Sequence, residues 1–322
     1  MDRATLTRRS LLSGGIGALA ATALSLNTTD ANAASGSSFT FVHLTDSHIQ
    51  PELGAPLGVH KAFSTIRALR EKPAFALVGG DLVMDATSCT PARAAQVYDL
   101  WQQAARDLAL PMHYSIGNHD PYLVNGANRL SPSDPAFGKQ YWMKQLGLGA
   151  TYHSFDHHGW RFIVLDSVGV TPEGGWEGVI DDTQLHWIDD LLRRTPRDMP
   201  IVFLTHIPIL TIYGLYTGGT TAPLSKTMIV ANGKEFKEMI QPYNVKAVLQ
   251  GHTHVVEECD YLGVKYITSG AVCGDWWKGK RLGVHPEGFV VATAKGQGAD
   301  ATFSWRYVPY GWNAAAYASK AS

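Results

Sequence analysis

The sequence predicts an α/β fold built on buried, partly parallel strands. Three observations carry that prediction. Short apolar runs alternate with longer amphipathic segments, the order in which strands and their covering helices occur in α/β proteins. Hydrophobic residues make up 45% of the chain and charged residues 17%, the balance of a globular protein and not of a disordered one. The apolar runs end in Asp, Asn or His, and the carboxyl edge of an open α/β sheet is where ligands bind.

The first 33 residues read as an address. Arg8 and Arg9 precede a short, Gly- and Ala-rich apolar stretch, and Ala31-Asn32-Ala33 fits a small-residue cleavage site. The stretch falls short of the roughly 20 apolar residues that a spanning helix needs. The arginine pair after Thr7 resembles a twin-arginine signal, whose cargo folds before export. That implies the twin-arginine export machinery as a partner and a periplasmic or secreted destination. Residues 34–322 are expected to form one domain with a strand-rich C-terminal part. No other stretch is long and apolar enough to span a bilayer, so no stable membrane insertion is expected.

The elements follow in order. Residues 39–45 (FTFVHLT) read as a strand, and VHKAFSTIRALRE after them is helical. Residues 74–80 (AFALVGG) form a second strand. ARAAQVYDLWQQAARDLA is a strong helix with no Gly or Pro inside it. MHYSIG (112–117) is a third strand. Residues 121–137, with three prolines, are a loop. YHSFDHHGWRFIVLD reads as a hairpin turning near Gly159. DDTQLHWIDDLLRR is a helix with acids at its start and arginines at its end, as the helix dipole prefers. IVFLTH (201–206) and VKAVLQ (245–250) are strands separated by a long Thr- and Gly-rich loop, 208–233. Long ordered loops in a compact domain are more often functional than accidental.

Net charge is −1, so no global field attracts nucleic acid or an anionic membrane, and nucleic-acid binding is not expected. Three cysteines, Cys89, Cys259 and Cys273, exclude a disulfide scaffold, although Cys259 and Cys273 have the option of pairing. Histidine is plentiful at 13. The first strand runs into Asp46 and His48, the second into Asp81, and the third into Asn118, His119 and Asp120. IVFL runs into His206, and VLQG into His252 and His254. A lone His after a strand says little. Five strand ends carrying only ligand-type residues point to a metal site. Gly80, Gly117 and Gly251 each precede one of these residues, and the missing Cβ permits close backbone approach there.

In order, the blocks are DSH (46–48), GD (80–81), GNHD (117–120), His206 and GHTH (251–254). Together they resemble the calcineurin-like metallophosphoesterase family and cover about two-thirds of the chain. The resemblance implies a β-sandwich flanked by helices, a four-layer α/β/β/α arrangement. It implies that Asp46, His48 and His254 hold one metal, Asn118, His206 and His252 a second, and that Asp81 bridges them. His119 would contact the phosphoryl group, and Asp120 would orient His119. The implied cofactors are two divalent or trivalent transition-metal ions; the N/O donor set without thiolates suits Mn, Fe or Zn. The implied reaction is in-line attack on phosphorus by hydroxide held between the metals.

Within the family the chain looks most similar to bacterial cyclic-nucleotide and glycerophosphodiester phosphodiesterases, with a small-molecule phosphate ester as substrate. The alternatives are a phosphomonoesterase or nucleotidase, a protein Ser/Thr phosphatase, and a non-catalytic metal- or phosphate-binding protein. In GAVCGDWWKGKRLGVHPEG (270–288), Trp276 and Trp277 are candidates to stack a base, and Lys278, Lys280 and Arg281 to meet phosphate. The competing reading packs the tryptophans under the tail and leaves the charges in solvent.

Overall fold

The computed structural model describes residues 38–317. The leader expected at 1–33 lies outside the described residues. Two sheets face each other. The first has five strands in the order β13-β12-β1-β2-β3, comprising β1 (Ser38–Leu44), β2 (Ala76–Val78), β3 (Met112–Tyr114), β12 (Gly288–Lys295) and β13 (Thr302–Pro309). The second has six, ordered β10-β11-β9-β8-β5-β4: β4 (His153–His157), β5 (Trp160–Val164), β8 (Ile201–Leu204), β9 (Val245–Gln250), β10 (Val256–Tyr261) and β11 (Val264–Ser269). Between β5 and β8 the chain also makes a short ribbon, β6 (Val168–Val170) against β7 (Trp176–Gly178).

Alternation within each strand decides the layering. Phe41, Leu77, Phe162, Val202 and Leu249 point between the sheets, and Phe41 meets Phe162 edge-on at 5.2 Å. Their neighbours Val42, Val78, Ile163, Phe203 and Val248 point outward under the helices. Helix α1 (Ala55–Arg67) places Val59, Phe63 and Ile66 on one buried stripe, and Phe63 meets Trp101 of α2 (Pro91–Leu108). Trp101 in turn meets Tyr114 of β3. On the second sheet, α4 (Asp182–Arg193) buries Leu185, Ile188 and Leu192. Phe236 of α6 (Gly233–Ile240) packs on Phe203 of β8. The result is helices, sheet, sheet, helices, as the resemblance implied.

Local chemistry sets the helix ends. Thr90 accepts from Arg93 N at the start of α2, where Pro91 supplies a preset φ. Asp181 accepts from Gln184 N at the start of α4. The structure adds three short α-helices to the sequence reading: α3 (Lys139–Leu146), α5 (Tyr213–Thr217) inside the long 208–233 loop, and α6 after it. Cys259 and Cys273 are both free thiols. No helix among the described residues is long and apolar enough to cross a membrane.

Register aligns the site. β1, β2 and β3 run parallel in one sheet, and β5, β8 and β9 run parallel in the other. Each strand that precedes a candidate ligand therefore has a parallel neighbour, with β3 at the edge of its sheet and the others inside theirs. Three ends from one sheet and two from the other open on the same edge of the sandwich.

Candidate metal centre

Asp46, His48 and His254 meet at one point. His48 Nε2 lies 3.1 Å from His254 Nε2, and His254 Nε2 lies 3.2 Å from Asp46 Oδ1. His48 Nε2 to Asp46 Oδ1 is 3.8 Å. A second group lies beside it. His206 Nε2 is 3.0 Å from Asn118 Oδ1 and 3.3 Å from Asp81 Oδ2, and His252 comes within reach of the same atoms. Asp81 Oδ2 is also 3.4 Å from His48 Nε2, so one carboxylate oxygen stands between the two groups.

Backbone carbonyls fix which ring nitrogen faces inward. A carbonyl only accepts, so His254 donates Nδ1–H to Gly274 O at 2.6 Å and turns Nε2 to the site. His206 donates Nδ1–H to Gly79 O at 2.7 Å. His252 is reversed: Nε2–H goes to Thr227 O at 2.9 Å, leaving Nδ1. Carbonyl partners of this kind set the tautomer of metal-binding histidines.

The donor set fits metal cations. Among the described residues, Asp46 and Asp81 have only histidines as ion-pair partners, and both are buried. Burial alone would raise Asp81, yet the His206 and His119 imidazoles hold it well below the usual carboxylate range. Burial opposes charge on His206, while Asp81 and Asp46 raise it to about 9. His252 is pushed down to about 3 by burial and by His206. Two buried carboxylates among ring nitrogens that face each other at hydrogen-bond distance call for positive charge between them. N/O donors of this composition supply sites for Mn, Fe or Zn.

The backbone is strained where it delivers these side chains. Asp46, His48, Asp81, His252 and His254 all have φ between 38° and 72°, the left-handed region that non-glycine residues avoid. Hydrogen bonds between loops hold them there: Asp46 N to Gly80 O, His48 N to Asp81 O, and His252 N to Asp46 Oδ2. The glycines matter through proximity. A Cβ on Gly251 would lie 2.3 Å from Thr45 Oγ1 and 2.6 Å from Asp46 Oδ2. On Gly117 it would lie 2.1 Å from Asp81 N. Strand β9 ends in glycine because the Asp46 loop passes directly over it.

One expectation is corrected. Asp120 does not orient the His119 ring. Its carboxylate accepts from Asp81 N (3.0 Å), Leu82 N (2.8 Å) and Gly117 N (2.8 Å), all within the buried loops. The acid nearest the His119 ring is Asp85, with Oδ1 3.8 Å from Nδ1. His119 Nδ1 has no hydrogen-bond partner, and its ring meets His48 edge-on at 4.8 Å. His119 also lies close enough to His48 and Asp81 to complete a ligand triad.

Asp81, Asn118, His119, His252 and His254 floor a cavity of about 540 Å³. Trp176, Tyr213 and Leu224 from the loops form part of its wall, together with Trp276 and Arg281. Trp277 points the other way, buried at 1% exposure with Nε1–H on His48 O. Lys278 and Lys280 are exposed and do not line the cavity.

Comparison with known proteins gives a consistent set of relatives. The family profile of the calcineurin-like phosphoesterases matches residues 39–256. A Synechococcus sp. (strain WH7803) protein named a probable cyclic nucleotide phosphodiesterase is 28% identical over 223 residues, 66% of this chain and 73% of that one. The 3′,5′-cyclic adenosine monophosphate phosphodiesterase of Haemophilus influenzae is 24% identical over 240 residues, 72% of this chain and 76% of that one. Among solved structures, a dimetal phosphatase from Danio rerio superposes with a TM-score of 0.58 at 16% identity, covering 85% of this chain and 99% of that one. At that identity the likeness is one of fold.

Proposed function

The chain belongs to the calcineurin-like phosphoesterase family, and from that premise we propose that it is an exported dinuclear-metal phosphodiesterase acting on nucleotide diesters. As a member of the family it is a metal-dependent phosphoric ester hydrolase. The observation that carries the dinuclear reading is Asp81 Oδ2, 3.4 Å from His48 Nε2 and 3.3 Å from His206 Nε2. Asp46, His48 and His254 would hold one ion, and Asn118, His206 and His252 the other, with Asp81 shared. Bound there, the ions supply Lewis-acid charge to the phosphoryl group and activate water.

The chain's own residues do the rest. Gly79 O, Gly274 O and Thr227 O hold the histidine tautomers. Asp81 Oδ1 accepts from His119 N at 2.8 Å and so fixes the start of the His119 turn. His119 lines the cavity, where its ring would donate to a phosphoryl oxygen or to the leaving oxygen. Asp120 ties the Gly80 and Gly117 loops together through three amides, and acts by positioning.

The diester reading is supported by the relatives named as cyclic nucleotide phosphodiesterases and by a cavity with room for organic groups. The test is hydrolysis of an aryl phosphodiester against the matching monoester by Mn-loaded protein lacking residues 1–33. A higher kcat/KM on the diester is expected; preference for the monoester would move the assignment to a phosphatase or nucleotidase.

A further inference from the structure

The loop between β11 and β12 divides its two adjacent tryptophans between two tasks. Trp276 and Trp277 both have left-handed backbones, φ 49° and 67°. The chain turns so sharply that their side chains leave in different directions. Trp277 anchors the loop: it packs on Trp312 at 5.6 Å and fills the space above Gly58, where a Cβ would lie 2.0 Å from its ring. Trp276 is thereby set against the metal ligands, 4.7 Å from the His254 ring and 6.0 Å from His48. Arg281 lies over Trp276 with its guanidinium carbon 5.1 Å from the ring centroid. Asp275 Oδ1 takes its Nη1 at 2.8 Å, and Tyr213 OH takes Nη2 at 2.9 Å.

Two donors are left over. Arg281 Nε–H and Trp276 Nε1–H are both buried and have no hydrogen-bond partner among the described residues. Both residues line the cavity, and among the described residues Arg281 is its only Arg or Lys. Buried donors without acceptors are costly, and binding sites keep them for a ligand that supplies the acceptors. The cavity wall also carries flat and apolar side chains, including Trp176, Leu224 and Met228. Two unpartnered donors beside an apolar wall suit a planar group whose edge accepts hydrogen bonds.

We propose that Arg281 and Trp276 are specificity-determining residues that bind the acceptor edge of the substrate's nucleobase, one indole ring away from the metal ligands. The proposal rests on the nucleotide-diester reading above and names the group that sets its preference. Trp276 holds Arg281 in place by stacking and adds its own N–H, and Asp275 holds the guanidinium with Nε left for the base, while Tyr213 only ties Nη2 to the neighbouring loop.

The test compares binding of two non-hydrolysable probes to the metal-loaded protein: the methylene phosphonate analogues of AMP and of ribose 5-phosphate, which differ only in the base. Titration calorimetry is expected to give the AMP analogue at least about tenfold higher affinity, and Arg281→Met to reduce that ratio to near one. Tyr213→Phe frees the same guanidinium of its loop tie and is expected to keep the preference. A wild-type ratio near one, a ratio preserved in Arg281→Met, or equal collapse in Tyr213→Phe would overturn the proposal; the last outcome would make Arg281 a strut between loops. The aryl diester and monoester above carry no base, so a wrong ester class and a wrong base contact give different results.

Discussion

His119 and Asp120 are adjacent and do different work. Asp120 uses both carboxylate oxygens to accept from backbone N–H groups of one other loop, at Asp81 and Leu82, and of its own, at Gly117. Burial and the Asp81 charge push it up to about 8, while the amides pull the other way. His119 lines the cavity, and its buried Nδ1 has no hydrogen-bond partner among the described residues. The residue pattern revealed both positions and not their partners, because an amide two loops away leaves no mark on residue order. Arg281 and Trp276 were visible only as a basic and aromatic stretch, and separating Trp276 from Trp277 required the two left-handed φ values. The ligand triad that His119 makes with His48 and Asp81 gives a competing role as a metal ligand. His119→Ala is expected to lower kcat by about 10²–10⁴-fold while two metals per chain remain, counted by elemental analysis. Loss of a metal in step with activity would make His119 a ligand.

The central strands were legible as elements because their apolar runs are buried on both faces and stop abruptly. β6 and β7, three residues each, were not, since so short a run has no period to detect. α6 escaped for a similar reason: its eight residues make barely two turns. What no single strand reveals is its neighbour. Gly251 reads as a strand stop, but its purpose is the passage of Thr45 and Asp46 over it, a contact spanning the chain. The leader is the element read from sequence alone. Replacing Arg8 and Arg9 with lysines is expected to leave the protein in the cytoplasm, as measured by cell fractionation. Unchanged export would point to an ordinary secretory signal.

At the scale of the molecule, the site exists because two sheets with parallel centres turn their carboxyl ends to the same edge. One sheet contributes Asp46, Asp81 and Asn118, and the other His206, His252 and His254. The two proposed ion groups each draw on both sheets: His254 completes the Asp46 cluster, and Asp81 and Asn118 complete that of His206. The family match stops at residue 256, and the segment beyond it brings the wall that carries Trp276 and Arg281. Chemistry and selectivity thus come from different stretches of one chain.

The central claim is that Asp81 is shared by two metal ions. The most direct measurement is metal content per chain in the purified protein and in Asp81→Asn, after chelation and reloading with excess Mn. The expected result is two ions per chain in the wild type and one or none in the variant, with hydrolysis lost. Two tightly held ions in Asp81→Asn, or a single ion in a fully active wild type, would contradict it.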